Sequence, residues 1–127
     1  MLRQVLGKAG DKFMHEMSIA QSIVDIVEKE LSSHGVEQLK AVNIAVGKLA
    51  AVVPEQLAFC FNIITLETNL AGATLNIREI PIGYTCSVCG KAFTAEEMSI
   101  VCPECGDARI DLTSGRELTI ESIEVAD

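Results

Sequence analysis

The feature that most constrains this chain is a set of four cysteines arranged as two C-x-x-C pairs. Twelve residues separate the pairs, and a glycine follows each of them, at Gly90 and Gly106. Two intervening residues let both sulfurs of a pair turn toward one point, and glycine fits the tight turn because it tolerates positive φ. Two such turns together form a tetrahedral thiolate cage, the coordination that suits zinc. The predicted zinc ligands are Cys86, Cys89, Cys102 and Cys105.

This predicted cage is closed. Four thiolates fill a tetrahedral ion and leave no position for water or a substrate, so the site is structural rather than catalytic. The surrounding module, at residues 84–115, has too few apolar residues to fold alone, and metal binding supplies the missing stability. A redox iron site is the alternative, because both pairs resemble rubredoxin knuckles. That family has a longer gap and an aromatic core around its metal, whereas this module offers Tyr84 and Phe93.

The composition describes a small aliphatic protein. Its 127 residues suffice for one modest domain, or for a small domain with a satellite module. Hydrophobic residues make up 49% but aromatics only 4%, so the core must be built from Ile, Val, Leu and Ala. No apolar run is long enough to span a bilayer, and the paired cysteines suit metal rather than disulfides. We therefore expect a cytoplasmic protein without membrane contact.

The charge narrows the choice of partner. The net charge is −8; residues 1–13 hold three basic residues and one acidic residue, and without them 7 basic and 17 acidic residues give −10. A domain this acidic is repelled by phosphate backbones, which argues against nucleic-acid binding. The charge suits cations, metal ions or a basic protein partner, although solubility alone also explains it.

The hydrophobic periodicity predicts an α+β fold, with two helices on a small mixed β-sheet. Residues 16–34 place apolar side chains at helical spacing, and Gly35 follows as a terminator. Residues 41–46 alternate as a strand. A second helix opens at Pro54, where the missing N–H costs little, and continues to about Thr68.

Residues 73–82 and 117–126 are predicted to be strands with a shared irregularity. In each, the apolar alternation slips by one residue, which indicates a bulge or bend and suggests that the two strands are neighbours. The cysteine module lies between them. We therefore predict a discontinuous domain, residues 14–83 completed by strand 116–127, with an inserted zinc-ribbon-like module whose entry and exit strands lie side by side.

The sequence Met14-His15-Glu16 suggests a second metal site. If the chain began at Met14, its terminal amine, the His15 amide and the imidazole would chelate one ion. Such a set of nitrogens favours Ni(II) or Cu(II). Glu16, in a domain of strong negative charge, would help to attract the cation.

The order of these features resembles the HypA/HybF family of nickel-insertion proteins. M-H-E-M-S-I-A-Q opens an amphipathic helix, V-G-K-L and P-E-Q-L follow in the middle, and the cysteine pairs precede a short acidic strand. The resemblance covers residues 14–127. It implies a nickel domain with His15 as the key ligand and Glu16 beside it, and a structural zinc domain.

The resemblance also implies partners. The family delivers Ni(II) as a transient cargo to the large subunit of [NiFe]-hydrogenase, working with a GTPase accessory protein, and some members serve urease maturation. The chain departs from the family at Val53, where an acidic residue is usual, so an accessory ligand there is in doubt. The rival interpretation is a zinc-ribbon protein-interaction module without a nickel role. An enzyme is poorly supported, because the sequence shows no open metal site and no nucleophile–base pair.

Residues 1–13 precede the start of the family resemblance. A misassigned start, an expression scar and a real extension are the competing explanations, and we favour the first. A segment foreign to the protein is expected to pack loosely. The unpaired Cys60, in an apolar stretch, is interpreted as a small buried hydrophobe. A monomer and a homodimer both remain open.

Overall fold

The computed structural model describes residues 4–5, 15–98 and 101–126, which form two helices, one 3-10 turn and seven strands. The order along the chain is β1 (Gln4–Val5), α1 (His15–Ser33), β2 (Leu39–Gly47), a 3-10 turn (Lys48–Ala50), α2 (Pro54–Thr65), β3 (Thr74–Ile80), β4 (Ile82–Cys86), β5 (Ala92–Ala95), β6 (Ile110–Ser114) and β7 (Leu118–Val125). Within these described ranges, no helix is long and apolar enough to cross a membrane.

The larger sheet is mixed and has the strand order β1-β7-β2-β3. β2 pairs in parallel with β3, so the chain needs a crossover between them, and α2 lies in that connection. β7 pairs antiparallel with the other side of β2. The predicted α+β class, with two helices on a small mixed sheet, is confirmed.

The core lies between the two helices and the larger sheet, and it is aliphatic as the composition predicts. α1 and α2 pack against each other, and the apolar face that the sequence predicts for α1 is buried. Phe61 is the single aromatic side chain among the buried residues of this cluster that the structure describes. The cluster contains Ile19, Ala20, Ile23, Val24, Val27, Leu31, Leu39, Val42, Ile44, Val46, Ala50, Leu57, Phe61, Leu70, Ala73, Leu118 and Ile120.

α2 ends earlier than predicted, at Thr65 rather than near Thr68. The side chain of Thr65 donates a hydrogen bond to the carbonyl of Phe61 at 2.9 Å. Thr68 then donates to the carbonyl of Thr65 at 2.8 Å and accepts from the N–H of Leu70 at 3.0 Å. Such local side-chain bonds offer the backbone an alternative to further helical turns.

The predicted pairing of the two irregular strands is wrong. β2 lies between β3 and β7, so the strands that enter and leave the cysteine module are not neighbours. The β2–β3 ladder runs without a shift through Glu79 to Ile80, so the apolar slip there does not mark a bulge. β7 does contain the predicted irregularity: its register against β2 shifts between Ser122 and Ile120, which leaves Glu121 as the extra residue.

The cysteine module has its own three-stranded sheet, in the order β5-β4-β6. Its junction with the larger sheet is closely packed, because the N–H of Gly47 donates to the carbonyl of Glu117 and the N–H of Leu49 donates to that of Gly115, both at 2.7 Å. An ion pair between Lys48 and Glu96, at 3.2 Å, also joins the two parts. The module is therefore attached by more than its covalent linkers.

The structure describes two residues of the segment before Met14. Gln4 and Val5 form β1, which pairs antiparallel with Ile120 and Thr119 at the edge of β7. This backbone pairing of two residues does not test whether the whole segment packs loosely, so that expectation stays a prediction. Residues 1–3 and 6–14 lie outside the described residues, and so does the Met14 amine invoked for the nickel site.

Candidate metal sites

The two cysteine pairs form matching turns. In the first, the N–H of Gly90 donates to the carbonyl of Cys86 at 2.9 Å; in the second, the N–H of Gly106 donates to that of Cys102 at 2.8 Å. Both glycines have φ of 76°, the left-handed region that glycine adopts at little cost. The sequence prediction of two tight glycine-dependent turns is confirmed.

The turns bring the four sulfurs together. All four ligand atoms lie within 4.8 Å of one another. The Sγ atoms of Cys86 and Cys105 are 3.6 Å apart, and those of Cys89 and Cys102 are 3.7 Å apart. Tetrahedral zinc with Zn–S bonds near 2.3 Å places its sulfurs about 3.8 Å apart, so the spacing fits the ion. The cluster is compatible with a structural zinc site.

Electrostatics within the cluster also favour a cation. The N–H of Cys89, followed by that of Val88, points at the sulfur of Cys86 and lowers the pKa of this thiol to about 7. The N–H of Asp107 lowers the pKa of Cys105, but the neighbouring Cys86 thiol and burial outweigh it and raise this pKa to about 12. An ionised Cys86 thus opposes ionisation of Cys105. A divalent ion bound among the four sulfurs offsets this repulsion, because it attracts all four thiolate charges.

A bidentate ion pair supports the second turn from outside. Nε of Arg109 contacts Oδ1 of Asp107 and Nη2 contacts Oδ2, each at 2.9 Å. These hydrogen bonds lower the pKa of Asp107 to about 2, so its carboxylate stays ionised at neutral pH. The carbonyl of Arg109 accepts bonds from both the N–H and the hydroxyl of Ser87, each at 2.9 Å. Arg109 thereby links the two cysteine turns.

His15 is the unusual residue of the larger domain. It is the first residue of α1, only 8% of its surface is exposed, and within the described chain neither ring nitrogen has a hydrogen-bond partner. Buried polar atoms are nearly always paired, since leaving one unpaired costs about 1–3 kcal/mol. An unpaired buried imidazole at a helix start is therefore a candidate ligand for an ion.

Glu16 lies beside this imidazole. Its Oε1 is 3.9 Å from Nδ1 of His15, and its Oε2 accepts a hydrogen bond from the N–H of Val53 at 3.2 Å. The structure thus brings the two predicted nickel-site residues together. Sequence reasoning missed the contact of Val53, because a backbone N–H leaves no signal in the side-chain pattern.

Cys60 and His34 belong neither to the cysteine cluster nor to the His15–Glu16 pair. Cys60 is half-buried and packs against the core, as predicted for a small hydrophobe. His34 is exposed at the end of α1, where its Nδ1 lies 3.0 Å from the carbonyl oxygen of Glu30. Of the described residues, only the four cysteines form a group of three or more metal-ligating side chains.

Comparisons with known proteins agree with this arrangement. Residues 14–125 match the family model described as "HypA: Hydrogenase/urease nickel incorporation, metallochaperone, hypA". The hydrogenase maturation factor HypA of Desulfatibacillum aliphaticivorans is 45% identical over 115 residues, covering 90% of this chain and 88% of the relative. That of Desulfosudis oleivorans is 47% identical over 114 residues, covering 88% and 98%.

Solved structures share the fold. The solution structure of the Ni metallochaperone HypA from Helicobacter pylori superimposes with a TM-score of 0.60 at 22% identity, covering 88% of this chain and 97% of that one. A second HypA solution structure gives a TM-score of 0.68 at 21% identity, covering 91% and 98%. From the extent of the family match and the identity of these relatives, the chain belongs to the HypA family of nickel-incorporation metallochaperones in hydrogenase and urease maturation.

Proposed function

We propose that this chain captures Ni(II) at His15 and Glu16 and delivers it to the large subunit of [NiFe]-hydrogenase. The observation that carries the proposal is the buried imidazole whose two nitrogens have no partner in the described chain. A bound ion would satisfy one of them, and the Glu16 carboxylate, 3.9 Å from Nδ1, would offset part of its charge.

The start of α1 suits such a capture site. The first N–H groups of a helix have no intrahelical acceptor, so the His15 amide is free of the helical ladder. In a chain that begins at Met14, the terminal amine would complete a tridentate set with this amide and the imidazole. Amine, amide and imidazole nitrogens are the donors that tetragonal Ni(II) prefers. With few protein ligands the ion exchanges readily, which is what a delivery protein requires.

The cysteine cluster has a separate role in this proposal. Cys86, Cys89, Cys102 and Cys105 hold Zn(II), which supplies four bonds that fix residues 84–115 as a structural domain. A closed tetrathiolate site has no position for a substrate, and the proposed function is delivery rather than catalysis. Residues 14–83 with 116–127 would form the nickel domain.

The proposed partners follow from the delivery step. They are the hydrogenase large subunit and a GTPase accessory protein, with urease maturation proteins as further candidates. Nucleic acid is not proposed, because the net charge of −8 repels phosphate. We place the exchange in the cytoplasm, where the thiols stay reduced. Either a monomer or a homodimer is compatible with this step.

A nickel titration tests the proposal. Ni(II) binding is measured calorimetrically for zinc-loaded chain 14–127 with a free Met14 amine, for its His15→Ala variant and for full chain 1–127. His34→Ala is the matched control, because that histidine is exposed and distant from Glu16 in sequence. We expect binding to fall at least about tenfold in His15→Ala and in the full chain, and to persist in the control. Equal affinity of all four proteins would refute the nickel site and favour the zinc-ribbon interaction module.

A further inference from the structure

The outer face of α2 carries an apolar stripe that lies open to solvent. Phe59, Ile63 and Leu66 follow one another at intervals of four and three residues, so they share one side of the helix. Their exposed fractions are 65%, 44% and 69%. Leu66 just follows the helix but keeps helical φ and ψ of −51° and −40°, which extends the stripe by one position. Together the three expose on the order of 300 Å² of apolar surface, a size often associated with function.

The stripe is not needed to fold the helix. The opposite face of α2 carries Leu57 and Phe61, both fully buried in the core. An amphipathic helix ordinarily presents polar side chains to solvent once its inner face is packed. Exposed Phe and Leu on the outer face are therefore surplus to the core, and a binding role explains them better than packing does.

The helix that carries the stripe begins next to the candidate nickel site. Val53 immediately precedes α2, is 42% exposed, and donates its N–H to Glu16. α2 has 12 residues, which gives it a length of about 18 Å. A protein bound along this face would therefore contact the chain within about one helix length, about 20 Å, of the candidate nickel site.

The charges around the stripe specify the chemistry of its partner. Residues 49–77 contain no Lys or Arg, whereas Glu55 and Glu67 lie exposed near the two ends of the helix. An apolar surface with acidic ends complements one with a basic rim. A second copy of this chain is a poorer match, because a symmetric contact would oppose acidic ends and two net charges of −8.

We propose that the outer face of α2, formed by Phe59, Ile63 and Leu66 between Glu55 and Glu67, is the docking surface for the protein that exchanges nickel with this chain. The partner presents an apolar segment flanked by Lys or Arg. The apolar stripe supplies most of the affinity, and the acidic ends steer association. The identity of the partner as a nickel-exchange protein depends on the proposed function; the existence of the docking surface does not.

Binding measurements on the zinc-loaded chain test the surface. The probes are the purified GTPase accessory protein and the hydrogenase large-subunit precursor from the same organism, titrated separately. Phe59→Ser and Leu66→Ser remove stripe residues; Met98→Ser and Val125→Ser, at sites 65% and 41% exposed elsewhere, are matched controls. We expect both stripe variants to weaken binding of one probe at least about tenfold, with controls within about twofold. Unchanged affinity, or no binding of either probe to the wild-type chain, would overturn the proposal.

Three further measurements test the partner chemistry and separate the docking surface from the proposed function. Glu67→Lys should slow association of the partner and reduce the dependence of affinity on salt. An unchanged salt dependence would refute the basic rim proposed for the partner.

Sedimentation of the wild-type chain and of Phe59→Ser separates a partner surface from a self-interface. A dimer that the substitution dissociates would assign the stripe to a second copy of this chain. In chain 14–127 with a free Met14 amine, nickel affinity of the Phe59→Ser variant should match that of the unsubstituted chain 14–127. Loss of partner binding without any His15-dependent nickel binding would retain the surface and reject the proposed function.

Discussion

Replacing Gly47 with alanine should destabilise the junction between the two sheets. Gly47 ends β2 with φ of −75° and ψ of 150°, a conformation open to any residue, so backbone strain plays no part. An added Cβ would overlap the carbonyl group of Gly115 and lie 2.6 Å from the amide nitrogen of Arg116. Because these are backbone atoms, the clash is relieved only if the two segments separate.

The magnitude follows from what that separation disrupts. Overpacking against a structure that resists movement costs about 1–3 kcal/mol. Separation also weakens two 2.7 Å hydrogen bonds, from Gly47 to Glu117 and from Leu49 to Gly115, each contributing about 1 kcal/mol. We therefore expect Gly47→Ala to lower the free energy of unfolding by about 2–5 kcal/mol.

Urea unfolding of the zinc-loaded protein measures this loss, and Gly35→Ala is the matched control. Gly35 has φ of +66° with no atom within 4 Å of an added Cβ, so that variant should lose only about 1–2 kcal/mol from the left-handed conformation. Hydrogen exchange at the Leu49 amide should accelerate in Gly47→Ala but not in Gly35→Ala. If Gly47→Ala is no more destabilised than Gly35→Ala and Leu49 exchange is unchanged, the close-approach reasoning is wrong.

Two other predictions concern α2 and the cysteine cluster. Phe61 is fully buried and Phe59 is 65% exposed on the same helix, so Phe61→Ala should lower the free energy of unfolding by about 3–5 kcal/mol and Phe59→Ala by less than about 1 kcal/mol; equal losses in urea unfolding would contradict the assigned faces. A strong chelator should collapse the dispersed amide NMR signals of residues 86–106, and added zinc should restore them. Signals that stay dispersed in metal-free protein would show that the module folds without metal.

The helices and the cysteine cluster were predictable because their signals are local. The apolar residues of α1 recur with the helical period, and Pro54 marks the start of α2 within a few residues. The spacing of the cysteine pairs predicts their convergence because each turn is only five residues long. For the same reason, the sequence predicts positive φ at Gly90 and Gly106, and both have φ of 76°.

Strand neighbours were not predictable from alternation alone. An apolar pattern assigns faces, but it carries no information on which strand lies beside which. β2 therefore lies between β3 and β7 without any signal in their sequences, and the apolar slip near Glu79 does not mark a bulge, because the β2–β3 ladder stays in register to Ile80. The contact from Val53 to Glu16 was missed because every non-proline residue carries the same N–H.

The central position of β2 affects the order in which the protein acquires its structure during synthesis. One edge of β2 pairs with β3, but the other waits for β7, which leaves the ribosome only after the whole cysteine module. Until then the nascent chain exposes an unpaired edge rich in Val and Ile, the kind of edge that invites aggregation. All four cysteines precede β7 in the chain. Zinc can therefore bind and order the cysteine module before the larger sheet closes.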